Sequence, residues 1–497
     1  MGQNQLGLSP AEAWQPLPAA DWKEAAARHL LQRIGFSATP AELARALQDG
    51  LAATLERYFA KMPAFPKPRQ MAVLQADGPE IYRRLQTLPA EERLMAQREA
   101  QELSREALFD MSIKWLQLAS RPENSPAEKW LLFLSDVWVI SVEKVKNAAL
   151  IYQYQAMLRD LALGSAVKLA QGLSRSPAMV VYLDLQQSQP AAPNENFARE
   201  LFELFTLGEG NYTEDDIKQA ARAFTGYRQR AGEFLLAPRQ HDNGVKTIFG
   251  QNGRFTGDDV IGLVYQQKAA GTFLPKEMVR FYLSDTPLPV DCTDALGAWW
   301  AGTGHDLRSL ALKFFSSRVF FAPVYRDNYI KSPIQFYLGL VQDLDLSVAP
   351  LPRQLIGALR AMGQMPFDPP NVRGWVGGRA WINSATLAAR RQVISALMQP
   401  INEDALNGDE QLELAAAYAD GVSNFTLDPA KVAEWSALPA PERAKKLVQR
   451  YVPGIAGTDL EQQLATFLER SAQRVRSEAA TRAALTTLLE SPNYQLC

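Results

Sequence analysis

Between Pro193 and Gly208 the chain places Glu195, Arg199 and Glu203 at four-residue steps, with Glu200 beside them. On a helix such steps stack side chains on one face, so these residues form a polar row. Paired carboxylates in a row of this kind can hold a cation or divide the work of acid and base. The plain alternative is a solvated helix face, where each Glu–Arg pair contributes about 0.2–0.5 kcal/mol. A second group follows at His241-Asp242-Asn243-Gly244-Val245-Lys246. An imidazole beside a carboxylate, with a lysine one turn away, suits a general base or an anion clamp. Asn243-Gly244 is equally ordinary turn chemistry. A third group, Asn371 to Gly378, sets Arg373 near Trp375, whose indole could stack on a flat ligand or plug its loop onto the core. The catalytic candidates are therefore Glu200, Glu203, His241 and Asp242. Glu195, Arg199, Arg222, Lys246, Arg373 and Trp375 are the binding candidates.

Helices must carry the first group. Phe197, Ala198, Leu201, Phe202, Leu204 and Phe205 share one side of a helical projection, and Gly208 ends it. Thr213 to Asp216 then caps a second helix running to Thr225. Similar start signals stand at Thr39-Pro40-Ala41-Glu42, Ser125-Pro126-Ala127-Glu128 and Thr458 to Glu461, each of which could close a capping box. Glu91 to Ser120 is rich enough in Glu, Arg, Leu and Ala for one long helix or two abutting ones. Phe234 to Leu236 and Lys246 to Phe249, around Gln240 to Gly244, predict one small hairpin. Pro366 to Gly378 reads as an irregular surface loop. The expected fold is mainly α, a large multi-helix body with one small β-hairpin insertion near 233–250. It divides into an N-terminal extension (1–23), a helical core (24–400) and a C-terminal helical section (401–497) packed on it.

The 497 residues balance 52 basic against 54 acidic side chains, for a net charge of −2. That removes the global basic field that non-specific nucleic-acid binding needs. Two cysteines, Cys292 and Cys497, support neither a disulfide framework nor a Cys-rich zinc site. Three scattered histidines supply no metal motif, and His29 and His305 read as structural. Phosphate-loop, nucleophile-elbow, HExxH and EF-hand patterns are absent from the sequence. No residue pattern names a cofactor. The most apolar window, Trp130 to Val142, contains Ser135 and Asp136 and falls short of the roughly 18–20 residues of a membrane span. It predicts a buried helix. Without a basic, apolar leader before Lys23, the expected location is the cytoplasm.

One set of stretches runs from about Glu24 to the end: His29 to Phe36, Ser176 to Met179 with Tyr182-Leu183, Pro193 to Tyr227 and His241 to Lys246. Lys331-Ser332-Pro333, Pro369 to Trp381 and Ser491 to Leu496 complete it. Together they resemble a bacterial family catalogued as domain of unknown function eighteen hundred. The resemblance implies a mostly helical protein. It also implies a working partner similar to sulfatases and alkaline phosphatases, because genes of the two families often adjoin. Many relatives carry export signals. Where relatives read Phe-Trp-His-x-His-Phe, this chain has Phe133-Leu134-Ser135-Asp136-Val137-Trp138, and Phe205 replaces a histidine some relatives place before Thr-Leu-Gly. Tyr227 stands where tryptophan is usual.

Three functional readings follow. The first is an accessory protein whose polar cleft, formed by the glutamate helix, the His241 loop and the Trp375 loop, binds a partner or ligand. The second is a hydrolase or transferase using Glu200 or Glu203 with His241 and Asp242, with Arg199 and Lys246 stabilising negative charge. The third is a structural helical scaffold.

Overall fold

Side-chain caps set where many helices begin, and tertiary neighbours decide which caps close. In this computed structural model, which describes residues 7–68, 71, 83, 86–472 and 474–497, Thr213 and Asp216 form a complete capping box. So do Thr256 with Asp259 and Asn383 with Thr386. The Thr39 hydroxyl accepts the Glu42 N–H, but the Glu42 carboxylate turns to Arg57 and Tyr58 instead of closing the box. Ser125 is not a cap: its hydroxyl donates to the Ala119 carbonyl at 2.9 Å, and Glu128 points into the core. Thr458 likewise donates backwards, to the Ile455 carbonyl.

The elements that position the sites are α1 (Glu24–Ile34), α2 (Ala90–Ala119), α3 (Ser125–Val137), α4 (Ala148–Leu161), α5 (Asn196–Glu203), α6 (Glu214–Ala223), α7 (Lys268–Tyr282), α8 (Pro333–Leu344), α9 (Ala440–Tyr451) and α10 (Ser477–Glu490). The fold is mainly α, and α2 is a single helix of 30 residues. Helix α3 is the apolar window of the sequence. Its Trp130, Phe133 and Leu134 are fully buried, and it packs against α1, α2, α4 and α7. Among the described residues no helix is long and apolar enough to cross a membrane.

The β insertion holds two antiparallel hairpins where one was expected. β1 (Tyr227–Arg230) pairs with β2 (Glu233–Leu236), and β3 (Lys246–Ile248) pairs with β4 (Gln251–Gly253). Thus Phe234 to Leu236 does not pair with Lys246 to Phe249. Each hairpin closes through two residues with positive φ, Ala231-Gly232 and Phe249-Gly250. That conformation matches the twist of two-residue hairpins.

The N-terminal stretch is tied down by Trp14, whose indole N–H donates to the Cys292 carbonyl at 2.7 Å; residues 1–6 lie outside the described residues. At the other end Leu496 bridges Ile330, laying the last residues beside the entry to α8. His29 donates from Nε2 to the Phe320 carbonyl, and His305 is buried between Tyr265 and Trp300. Both are structural.

Candidate functional site

Helix α5 buries Phe197, Ala198, Leu201 and Phe202 and leaves its glutamates on the opposite side. Gly208 follows it at φ +80°, a left-handed position suited to a residue without Cβ. The polar row does not act as one unit. Arg199 bridges Glu195 at 3.2 Å and Glu214 at 2.7 Å, tying α5 to the start of α6. Those two members of the row are occupied in holding the helix pair together.

Glu203 belongs elsewhere. It accepts a hydrogen bond from the Tyr212 hydroxyl at 3.0 Å and pairs with Arg373 at 2.9 Å, while Arg373 also reaches Glu209 at 3.0 Å. Two residues on, the Trp375 N–H donates to Asp136 Oδ1 at 2.7 Å. Arg280 of α7 completes the arrangement. It donates to Asp136 Oδ2 at 3.0 Å, to Glu277 at 2.8 Å and to the Trp375 carbonyl at 3.1 Å. Asp136, Glu203, Glu209, Glu277, Arg280, Arg373 and Trp375, with Phe273 and Val137, line a cleft of about 520 Å³. The Trp375 indole is 4% exposed and so serves as the plug of its loop, whereas Arg373 stands in solvent.

Four carboxylates (Asp136, Glu203, Glu209, Glu277) face two guanidinium groups (Arg280, Arg373), a balance of −2. Burial raises the Asp136 carboxyl to about 6, against the opposing pull of Arg280 and the Trp375 N–H. It is therefore ionised at neutral pH. Glu200 is half-buried and does not line the cleft; its carboxyl is also pushed up, first by burial and then by the Glu203 charge. Its charge in turn helps push the Tyr182 phenol up to about 12, where burial is the larger cause.

The sign of the Asp136 shift makes a prediction. A carboxyl whose folded pKa lies above its unfolded value favours the fold at low pH and loses that contribution as pH rises through about 6. Wild type should therefore lose stability relative to Asp136→Asn between about pH 4 and about pH 7. Denaturant midpoints measured across that range check it. A constant difference between the two proteins would contradict it.

His241, Asp242, Arg222 and Lys246 form a separate cluster that does not line this cleft. Asp242 pairs with Arg222 at 2.7 Å and accepts the Gly244 N–H at 2.7 Å. The Arg222 hydrogen bond is the main reason its carboxyl is held below the usual range. His241 donates from Nδ1 to the Thr225 carbonyl at 3.0 Å. Buried Lys246 donates to the carbonyls of Asp242 at 2.6 Å and Gly244 at 3.1 Å, and burial lowers its ammonium pKa. The loop has folded back onto the end of α6, because Arg222, Thr225 and its own carbonyls satisfy its polar groups. The expected single hollow enclosed by three stretches is thus corrected: the structure joins the glutamate helix to the Trp375 loop and leaves the His241 loop apart. Among the described residues no hydrogen bond or ion pair links the two clusters.

Sequence reasoning missed Asp136, Glu277 and Arg280. One signal was available: Asp136 is a carboxylate inside the most apolar stretch of the chain, a placement that demands a partner. Among the described residues there is no group of three or more His, Cys, Asp or Glu side chains placed to hold a metal ion.

Fold and cleft together define a helical protein with an ion-paired acidic cleft. The chain belongs to the family described as protein of unknown function (DUF1800), whose model matches residues 29–496. No curated protein and no solved structure matches it.

Proposed function

We propose that this is a binding protein whose cleft receives a basic segment of a partner. The observation that carries this reading is the −2 balance of a cleft in which Asp136, Glu203, Glu209 and Glu277 share only Arg280 and Arg373. An incoming lysine or arginine side chain could replace Arg373, which is 61% exposed and holds two carboxylates at once. Charge complementarity of this kind sets specificity and association rate. The partner suggested by the resemblance is a sulfatase- or alkaline phosphatase-like protein. The hydrolase or transferase reading needs a base beside the glutamates, and His241 and Asp242 are committed to Thr225 and Arg222. A scaffold reading leaves the cleft's surplus charge without a role.

The test is co-purification of the tagged chain with such a partner, repeated with Glu203→Lys. Retention should fall at least tenfold in the variant, and wild-type retention should weaken with salt because the cleft is open to solvent. Equal retention by both proteins would refute the reading.

A further inference from the structure

A second hollow lies far from the acidic cleft in the chain's connectivity, where α1, the entry to α8, the end of α9 and the final residues converge. It measures about 120 Å³, and its lining is mostly polar. Three stretches singled out in the sequence border it and are unused by the cleft: His29 to Phe36, Lys331-Ser332-Pro333 and Ser491 to Leu496.

Its decisive feature is Lys331. The side chain is 4% exposed, lines the hollow, and has its ammonium 3.7 Å from the centroid of the Tyr494 ring. Among the described residues its Nζ makes no hydrogen bond and no ion pair within 4 Å; Asp343, Cys497 and Asp327 act on it only from further away. The other buried cations of this region differ. Lys129 donates to the Gly35 carbonyl at 2.9 Å, Arg33 donates to the Tyr282 carbonyl at 3.0 Å, and Arg390 donates to the Lys331 carbonyl at 2.7 Å. An ammonium removed from water without an acceptor is costly, and an aromatic face replaces only part of its hydration. Burial lowers its proton affinity for the same reason.

The rest of the lining says what would complete it. Asp343 is already engaged by the Ser37 hydroxyl, by the Tyr494 hydroxyl at 2.8 Å and by Arg450 at 3.9 Å. Gln32 and Asn493 also line the hollow, and their side-chain amides make no hydrogen bond among the described residues. Of the cations in the lining, Arg28 is paired with Glu24 at 2.8 Å and Arg450 with Asp343 at 3.9 Å, so Lys331 is the one left without a partner among the described residues, and a single negative charge would satisfy it. We infer that this hollow is a binding site for a small monocarboxylate, held by the Lys331 ammonium and the amides of Gln32 and Asn493. The volume admits an anion of a few heavy atoms, and water is the competing occupant.

Titration of the full chain with carbon-13-labelled acetate, followed by ligand linewidth, tests this directly. Wild type should show saturable binding on the order of millimolar. Lys331→Met should bind at least tenfold more weakly. Asn493→Ala lies at the exposed rim, so it should fold normally and bind about threefold more weakly even if Lys331→Met does not fold. The inference is overturned if wild type shows no saturation, or if folded Lys331→Met binds as wild type does. It is equally overturned if Asn493→Ala binds unchanged, or if inorganic phosphate dianion binds more tightly than acetate.

Discussion

Arg159→Ala is expected to destabilise the fold by about 3–5 kcal/mol, read as a lower denaturation midpoint. The reason is Glu128, which is fully buried on α3 and meets Arg159 of α4 in a two-pronged pair, Nη1 to Oε1 at 2.5 Å and Nη2 to Oε2 at 3.0 Å. The Trp115 indole N–H adds one more donor at 3.0 Å. Arg159 also donates to the Pro63 carbonyl at 2.9 Å and covers the Phe65 ring, so one guanidinium joins α3, α4 and the chain from Pro63 to Phe65. Remove it, and the carboxylate keeps only the indole donor inside the core. Burial already raises the Glu128 carboxyl above its usual range, and loss of the guanidinium would raise it further. The variant should therefore recover part of its stability in mild acid, where the carboxyl takes up a proton. Replacing both partners, Glu128→Leu with Arg159→Met, should be far milder, because no lone charge is then buried. A loss below about 1 kcal/mol in Arg159→Ala would show that the pair does not hold these helices together.

That pair also marks where the sequence stops being readable. Capping and periodicity are local, so the Thr213–Asp216 box, the buried face of α5 and the helical character of α2 follow from neighbouring residues alone, while the choice between one helix and two abutting ones in α2 did not. Glu42 and Glu128 carry the same spacing as Asp216, yet one turns to Arg57 and the other to Arg159. Their choice depends on cations 15 and 31 residues away, which no window of one helical turn contains. The hairpin turns failed differently: alanine and phenylalanine precede glycine at positive φ, where the readable signals are Asn-Gly and Asp-Gly. The visible Asn243-Gly244 drew the strand pairing to the wrong partners. At the cleft, the glutamate row and the Arg373-Trp375 loop were legible as separate chemistry. Their meeting was expected within a larger hollow that included the His241 loop; the contacts that make it were not legible, since Glu203 and Arg373 are 170 residues apart and Asp136 comes from a third segment. The His241 loop was overread because side-chain identity does not reveal that backbone carbonyls have claimed its imidazole and its lysine.

Gly374→Ala should be the most damaging single-methyl change at the cleft, with an expected loss of about 2–5 kcal/mol. Gly374 has φ +79°, so any side chain there is strained by about 1–2 kcal/mol. A Cβ built on it would also fall well inside van der Waals distance of both the carboxylate and the carbonyl of Asp136. Asp136 is 3% exposed and held by Arg280, which leaves it little room to withdraw. The loop must then move outward, and the Trp375 N–H loses its 2.7 Å bond to Asp136. Gly377→Ala separates the two causes. Its φ is +76°, nearly the same, but the nearest atom to an added Cβ is Arg280 Nη1 at an ordinary 3.7 Å. It should show backbone strain alone, about 1–3 kcal/mol, because with ψ at −176° it occupies a region kept almost entirely for glycine. Denaturant midpoints of the two variants measure the difference, and Trp375 fluorescence should report loop displacement only in Gly374→Ala. If the cleft binds a basic partner segment, Gly374→Ala should tighten that binding, because displacing Arg373 leaves Glu203 and Glu209 open to the incoming cation, while Gly377→Ala leaves it unchanged. Equal losses in both variants would mean that the close approach of the loop backbone to Asp136 is not what shapes the cleft.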